Sequence, residues 1–599
     1  MIAVEGFGLD MGRTQDLVTA LLVALIIVGG IPAQAASLTA DLRAALAKAS
    51  PGTTLGVVVG FNASEVGYDL RREMVDERRT VRRREVVRRL RQSGEAAGAS
   101  IVAAAHAASA QDVQLLWIAN SVAMRASPAF IGELATDPRV TQIRLDETML
   151  APIAYAGVTL PAEWNINQID APALWARGID GRGAVVASLD SGVDNRHPDL
   201  AASWRGGPNS WFDPNGQHPV PADISGHGTQ AMGIMVGGSA GGTTVGVAPR
   251  AKWIAAKIFD DAGLTTESAV HRALQWVIDP DGNPATDDAP DVVNNSWDNS
   301  SEDTCNSVFQ NDIDALRAAD IAVVFSAGNY GPGSSTSVSP ANTHNVLSVG
   351  AVDENQQVAL FSSRGPSACD GELFPKLAAP GVGVMTTDLS FGGMPVYVLV
   401  EGTSFAAPHV SGAIALMRGA APFASVDEIE TALTMTAHDL GVSGPDQDVG
   451  YGLIDVAAAF DVLPPGDLDG DGYGSGRDCN DHDPAVHPGA MERSRDGIDQ
   501  DCNGFDLTIS VKYAVYAHDG SALRLRATSQ YGESAALEIV NLGPLTWRAI
   551  YGDWIYEGSP GSLSAQIVVR GPEGAVTVKP RATKRRESSI VQPVEGAGS

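Results

Sequence analysis

The chain has 599 residues, of which 44% are apolar, and its 71 Asp and Glu against 41 Lys and Arg give a formal net charge of −30. This apolar content excludes a wholly disordered chain, and the length exceeds what one hydrophobic core serves, so several domains are expected. The acidic balance argues against nucleic acid as a partner and favours divalent cations. The four cysteines are too few for a disulfide scaffold but allow one or two bridges outside the cytosol.

Residues 1–36 read as a secretory signal: Arg13 supplies the positive start, Met11 an alternative initiator, and Leu17 to Ile31 an apolar run shorter than a membrane span. Ala33-Gln34-Ala35 is a small-x-small cleavage site that places the cut before Ala36. No other stretch reaches spanning length, so the mature chain is expected to be secreted, extracellular and free of the membrane. Residues 37–150 form a separate block. Thr54 to Phe61 reads as a strand, and Arg71 to Arg91 as an arginine-rich helix with Val86, Val87 and Leu90 among its arginines. Those apolar positions recur at helical spacing, which predicts a packed helix with a solvated basic face rather than a nucleic-acid or membrane contact. Leu115 to Asn120, Pro128 to Ala135 and Val140 to Asp146 complete a β-α-β-β-α-β order.

Residues 151–463 alternate strand-like and helical runs, which predicts an α/β domain with a doubly wound, mainly parallel sheet. Ala184 to Leu189 reads as a buried strand that delivers Asp190 at its carboxyl end, where open α/β sheets place their sites. His227 lies between Gly226 and Gly228, so another chain can approach it closely, and Ile321 to Phe325 leads to Asn329. Ser404 follows Gly402-Thr403 where an apolar helix begins, Phe405 through Met417. Backbone N–H groups at a helix start are unpaired and favour an anion. The order Asp190, His227, Ser404 is one of three known orders of a Ser-His-Asp triad.

Asp190-Ser191-Gly192, Gly226-His227-Gly228-Thr229 and Gly402-Thr403-Ser404-Phe405-Ala406-Ala407-Pro408-His409 resemble the three signatures of the subtilases, the subtilisin-like serine proteases. Ser326-Ala327-Gly328-Asn329 resembles that family's oxyanion-hole segment. The resemblance spans residues 164–462; Trp164 to Pro172 and Asn294-Asn295-Ser296-Trp297 look closest to its bacillopeptidase F-like branch. It implies a serine endopeptidase acting on proteins or peptides, with Asp190, His227 and Ser404 as triad and Asn329 as oxyanion donor. It also implies that residues 37–150 are an inhibitory α+β prodomain, cut away between about Glu147 and Trp164, and that Asn295 and Ser296 lie on an edge strand that pairs with substrate. The arginines of the prodomain could pair with the acidic catalytic domain. A monomer is expected. Asp298 stands where the family often has Gly. His409, inside the buried helix, reads as structural, and Asp194 either supports the Asp190 loop or only terminates it. A hydrolase of the nucleophile-elbow type is disfavoured, because Gly402-Thr403-Ser404-Phe405-Ala406 lacks the second glycine.

Pro464-Pro465-Gly466 opens a linker, and residues 464–504 form an Asp-rich module. Asp467, Asp469, Asp471, Tyr473, Ser475 and Asp478 follow the spacing of an EF-hand-type loop, with Asp rather than Glu last, and Asn480, Asp481, Asp483, Asp496, Asp499 and Asp501 follow. Oxygen ligands at this density select structural Ca²⁺. The block also resembles two-cysteine, Asp-rich metal-binding repeats of secreted bacterial proteins. His482 and His487 could serve copper, but the oxygens outnumber them. Cys479 and Cys502 could close a loop inside the module, leaving Cys305 with Cys369; three connectivities stay open. Residues 505–580 alternate with period two and predict a small β-sandwich-like domain, and 581–599 a polar, disordered tail.

Overall fold

The computed structural model of the chain describes residues 36–582 except 51, 76, 153–154, 157–162, 465–468, 470, 472, 474–477, 481–482, 494–495, 518–521, 560–565 and 573. The signal segment, most of the tail, Asp467, Ser475, Asp481 and His482 lie outside the described residues. The chain divides into two compact units: one holds residues up to Glu65 with Arg91–Thr148 and Thr266–Ser268, and the other holds Val66–Leu90, Met149–Thr265 and everything from Ala269 on.

The first unit is an α+β layer. Strands β1 (Ser37–Leu38), β2 (Leu55–Phe61), β3 (Gln111–Leu116), β4 (Ser121–Ala126) and β5 (Val140–Leu145) make one sheet in the order β1-β5-β2-β4-β3. Val57, Val59, Val122, Met124 and Ile143 alternate along their strands onto one face and meet Ile101, Phe130 and Ile131 from the helices, the period of 2 against 3.6 that amphipathic elements require. The arginine-rich run departs from its expected form. It breaks into a short helix, Gly67–Glu73, and a long one, α1 (Arg79–Ala107). Only the second half of α1 belongs to this unit.

The second unit carries a seven-stranded sheet of β6 (Val185–Asp190), β7 (Trp211–Phe212), β8 (Lys252–Lys257), β9 (Val292–Asn295), β10 (Ala322–Ser326), β11 (Leu347–Val352) and β12 (Leu377–Pro380). The order is β12-β11-β10-β9-β6-β8-β7, and every adjacent pair is parallel. The strands are buried on both faces, which is why they read as continuous apolar runs. Chain order reverses at β6, which has β8 on one side and β9 on the other. Helices α2 (His227–Val236), α3 (Gln310–Ala318) and α4 (Thr403–Ala420) cover the sheet; α4 is buried from Thr403 through Arg418.

Downstream, Leu523, Leu525, Ala527, Leu537, Ile539 and Val569 share one core between a five-stranded and a four-stranded antiparallel-rich sheet, the sandwich expected from period-two alternation. The disulfides are Cys305–Cys369 and Cys479–Cys502. No helix among the described residues is long and apolar enough to cross a membrane.

Candidate active site

Asp190 is the last residue of β6, at the point where strand order reverses, so the sheet itself puts a carboxylate at its C-terminal edge. Its Oδ1 accepts from the Ser191 N–H at 2.7 Å and from His227 Nδ1 at 2.8 Å. Asp190 and His227 are both buried. His227 opens α2. The neighbouring Gly228 permits this contact: a Cβ there would stand 2.2 Å from the Gly192 carbonyl oxygen, so any side chain would force the two loops apart. Burial pulls the His227 imidazole down, but the charge and hydrogen bond of Asp190, with a contribution from Asp223, outweigh it and leave its pKa raised above the ordinary value. The other ring nitrogen, Nε2, is buried and has no hydrogen-bond partner. The ring packs against Phe405, centroids 5.3 Å apart, which brings the imidazole beside the residue that follows Ser404.

Ser404 is in the first turn of α4. Its Oγ points at the Ser296 carbonyl, 3.4 Å away, rather than at the imidazole. Four residues on, Pro408 lies inside the same helix and has no N–H to give to the Ser404 carbonyl. Ser296 Oγ fills that gap, donating to the Ser404 carbonyl at 2.7 Å, and is itself held by Asn294 Nδ2 at 3.0 Å. The nucleophile candidate is thus fixed by a side chain from β9's exit.

The segment expected to pair with substrate begins where β9 ends: sheet pairing stops at Asn295 and does not include Ser296. β9 runs between β6 and β10, so Asn295 ends an interior strand. Asn295 Nδ2 is turned to the Val293 and Val324 carbonyls, and the side chains of Asn295 and Ser296 are buried.

Asn329 is exposed at the exit of β10. Its Oδ1 accepts from the Thr403 N–H and the Thr403 hydroxyl, both at 2.9 Å. With the oxygen held, the amide nitrogen is left beside Gly402, 3.5 Å from where a Cβ on that glycine would be. An N–H donor and the first-turn backbone N–H groups of α4 therefore flank the Ser404 side chain, an arrangement suited to an oxyanion.

Asp223 was not singled out from the sequence, yet it organises the site. Its Oδ1 accepts from Ser191 Oγ and from the N–H groups of Ser225 and Gly226, and its Oδ2 from the N–H and hydroxyl of Thr229. It ties the Asp190 loop to the start of α2; an Asp ahead of Ser-Gly at a helix start is a capping signal that could have found it. Asp194 supports its loop, accepting from the N–H and hydroxyl of Ser390. His409 is structural: Nδ1 bonds the Phe405 carbonyl at 2.8 Å, Nε2 meets Asn165 at 2.8 Å, and burial lowers its pKa to about 4 despite the Phe405 bond. Asp298 sits near Tyr330, and burial raises its carboxyl to about 6 against the opposing Tyr330 hydroxyl bond.

In the Asp-rich module, carboxylate oxygens of Asp469, Asp471 and Asp478 lie within 4.8 Å of one another. Asp469 Oδ2 is buried without a hydrogen-bond partner, and Asp471 and Asp478 are buried. Three converging carboxylates, one with a buried oxygen that no protein group satisfies, fit a hard cation. In the second cluster Asp496, Asp499 and Asp501 accept from backbone N–H groups of Ile498, Asn503 and Gly504, and Asp499 and Asp501 converge with Glu492 within 4.8 Å. Tyr473 stacks on His487, centroids 5.0 Å apart.

A model described as the subtilase family matches residues 181–452, and one described as a putative metal-binding motif matches 478–506. The chain is 38% identical over 389 residues to Bacillopeptidase F of Bacillus subtilis (strain 168), covering 59% of this chain and 26% of that protein. It is 34% identical over 342 residues to Subtilisin E of the same strain, covering 57% of this chain and 80% of that protein. Against the alkaline protease of Alkalihalobacillus alcalophilus the figures are 31% over 338 residues, 56% and 78%. The chain thus spans about a quarter of the first relative's length and about four-fifths of the other two.

Proposed function

The chain belongs to the subtilase family, and from that premise we propose that it is a secreted serine endopeptidase made as a self-processing zymogen. Ser404 attacks the scissile carbonyl after rotating its Oγ toward His227 Nε2, which takes the proton and passes it to the leaving amine. Asp190 orients the ring through Nδ1 and stabilises its cationic form. Asn329 Nδ2 and the Ser404 backbone N–H receive the developing oxyanion. The Ser296 carbonyl, next to the nucleophile, flanks the substrate backbone. The observation that carries this reading is the buried Asp190–His227 pair whose second ring nitrogen no protein group occupies: an acceptor that is oriented and unspent is what a general base requires.

Substrates are proteins or peptides, and the N-terminal block, residues 37–150, inhibits the enzyme until it is removed. The mature enzyme acts as a monomer. Asp469, Asp471 and Asp478, with Asp467, Ser475 and the Tyr473 carbonyl completing the loop, hold a structural Ca²⁺, which neutralises their charge and takes no part in bond cleavage. Casein hydrolysis by the parent chain and its loss in Ser404→Ala test the activity. N-terminal sequencing tests the maturation: the parent starts beyond residue 147, whereas Ser404→Ala keeps its N-terminal block. Release of that block by Ser404→Ala alone contradicts self-processing.

A further inference from the structure

The arginine-rich run presents the expected solvated face through Arg84 and Arg88, but it also has a second, buried set. Arg82 and Arg83 are buried, and the segment that carries them, Val66–Leu90, folds within the same compact unit as Ser404. Arg82 Nε donates to the Ala318 carbonyl at 2.6 Å, and its terminal nitrogen donates to the Arg317 carbonyl at 3.1 Å. Arg83 Nε donates to the Ala319 carbonyl at 3.2 Å, and its other nitrogens reach the Ala289 and Pro290 carbonyls. The receiving groups are the C-terminal carbonyls of α3 and the turn ahead of β9. The former are the end of a helix where unpaired oxygens and the dipole attract a cation.

Carboxylates complete the receiving surface. Arg79 pairs with Asp291, Arg83 with Asp287 at 2.8 Å, and Arg82 lies 3.9 Å from Asp320. On the peptidase side, buried Arg418 is shared between Asp320 at 2.9 Å and Asp291 at 3.6 Å. Without the segment, one arginine would face two buried aspartates, and the helix-end carbonyls would lose their donors. Shape matches as well as charge: at Gly67 a Cβ would stand 2.4 Å from the Ala315 nitrogen, so the segment lies backbone against backbone on α3. Arg78 also stacks over Tyr473 of the Asp-rich module, 5.6 Å from the ring centroid.

This surface is far from the nucleophile. Asp291 precedes β9, and its carboxylate accepts the N–H of Val185, the first residue of β6. Asp190 and Ser296 are at the opposite ends of those strands. Six residues of strand separate the two edges by roughly 17–20 Å.

We propose that this face is an exosite for the chain's own Val66–Leu90 segment: after the chain is cut downstream, Arg79, Arg82 and Arg83 keep the N-terminal piece docked there, and salt releases it. The cut itself is taken from the zymogen reading above. Dissociation exposes both sets of charges to water, so it is favoured as ionic strength rises.

The test separates this claim from self-processing. A recognition site for an unrelated endopeptidase is inserted after residue 157 of the Ser404→Ala chain, that endopeptidase makes the cut, and the Kd between the two pieces is measured. Raising NaCl from about 0.05 to about 0.5 M should weaken binding at least ~10-fold. Arg82→Ala/Arg83→Ala should weaken it ~100-fold. Arg84→Ala/Arg88→Ala removes the same charge from exposed positions of α1 and should change it less than ~3-fold. Asp287→Asn, at the half-exposed rim of the peptidase side, should weaken it ~10-fold and checks the pairing from the other partner, where folding is least at risk. Equal effects of the two arginine pairs, or a Kd indifferent to salt and to Asp287→Asn, overturns the exosite.

Discussion

Aspartates gather in two places in the second unit and are neutralised differently. Around His227, Asp194 and Asp223 spend their oxygens on backbone N–H groups and hydroxyls, and Asp190 holds an imidazole. In the Asp-rich module, Asp469, Asp471 and Asp478 converge within 4.8 Å and leave Asp469 Oδ2 buried without a partner. The first arrangement is held by protein donors; the second would be completed by the cation proposed for it. A high density of carboxylates therefore says little until the donors around each oxygen are counted.

The largest test falls on the first region. Ser404→Ala should lower kcat by roughly 10⁶-fold in a peptide hydrolysis assay, and Asn329→Ala by roughly 10²–10³-fold with little change in KM; both magnitudes are subtilisin's. Loss of only a few-fold from either would mean that the N–H cluster at the start of α4 serves packing alone.

The second region should respond to chelation instead. EDTA should lower the melting temperature of the parent and leave that of Asp469→Asn/Asp471→Asn unchanged, while kcat of protein held below either melting point stays the same. Breaking Cys479–Cys502, which spans 23 residues, should cost about 3 kcal/mol by loop entropy, measured by denaturant titration; its effect should grow when the cation is removed.

Proton linkage gives the smaller effects. His409 is lowered to about 4 by burial, so its neutral form is favoured by folding. The stability this contributes is whole above about pH 6.5 and is lost as pH falls toward 4, about 3 kcal/mol in all. Asn165 and the Phe405 carbonyl occupy both ring nitrogens, so His409→Gln should flatten that part of the stability–pH curve. His227 is shifted the other way. It must be neutral to accept a proton, so the acid limb of kcat/KM should have its midpoint above about 6.5, and a midpoint below that would remove Asp190 as the dominant influence.

The residues proposed for catalysis were legible because each ends or begins a regular element: Asp190 closes an apolar strand, while His227 and Ser404 open apolar helices, with glycines at the close approaches. What escaped were contacts between segments distant in sequence. Nothing near Ser296 says that Pro408, 112 positions on, leaves a carbonyl for it to satisfy. Arg82 and Arg83 looked solvated because helical periodicity records apolar neighbours, whereas these guanidiniums are buried against carbonyl oxygens that have no signature in sequence. Asp223 was hidden for the same reason: its five donors come from Ser191, Ser225, Gly226 and Thr229, and only the last three are near it in the chain.

A fluorophosphonate probe reads the central claim at the atom concerned. Incubated with processed protein and mapped by mass spectrometry, it should add one phosphonyl group, on Ser404, with the rate of addition falling steeply in His227→Ala and no adduct in Ser404→Ala. An adduct on another residue, or labelling of Ser404 at the same rate without His227, would contradict the account.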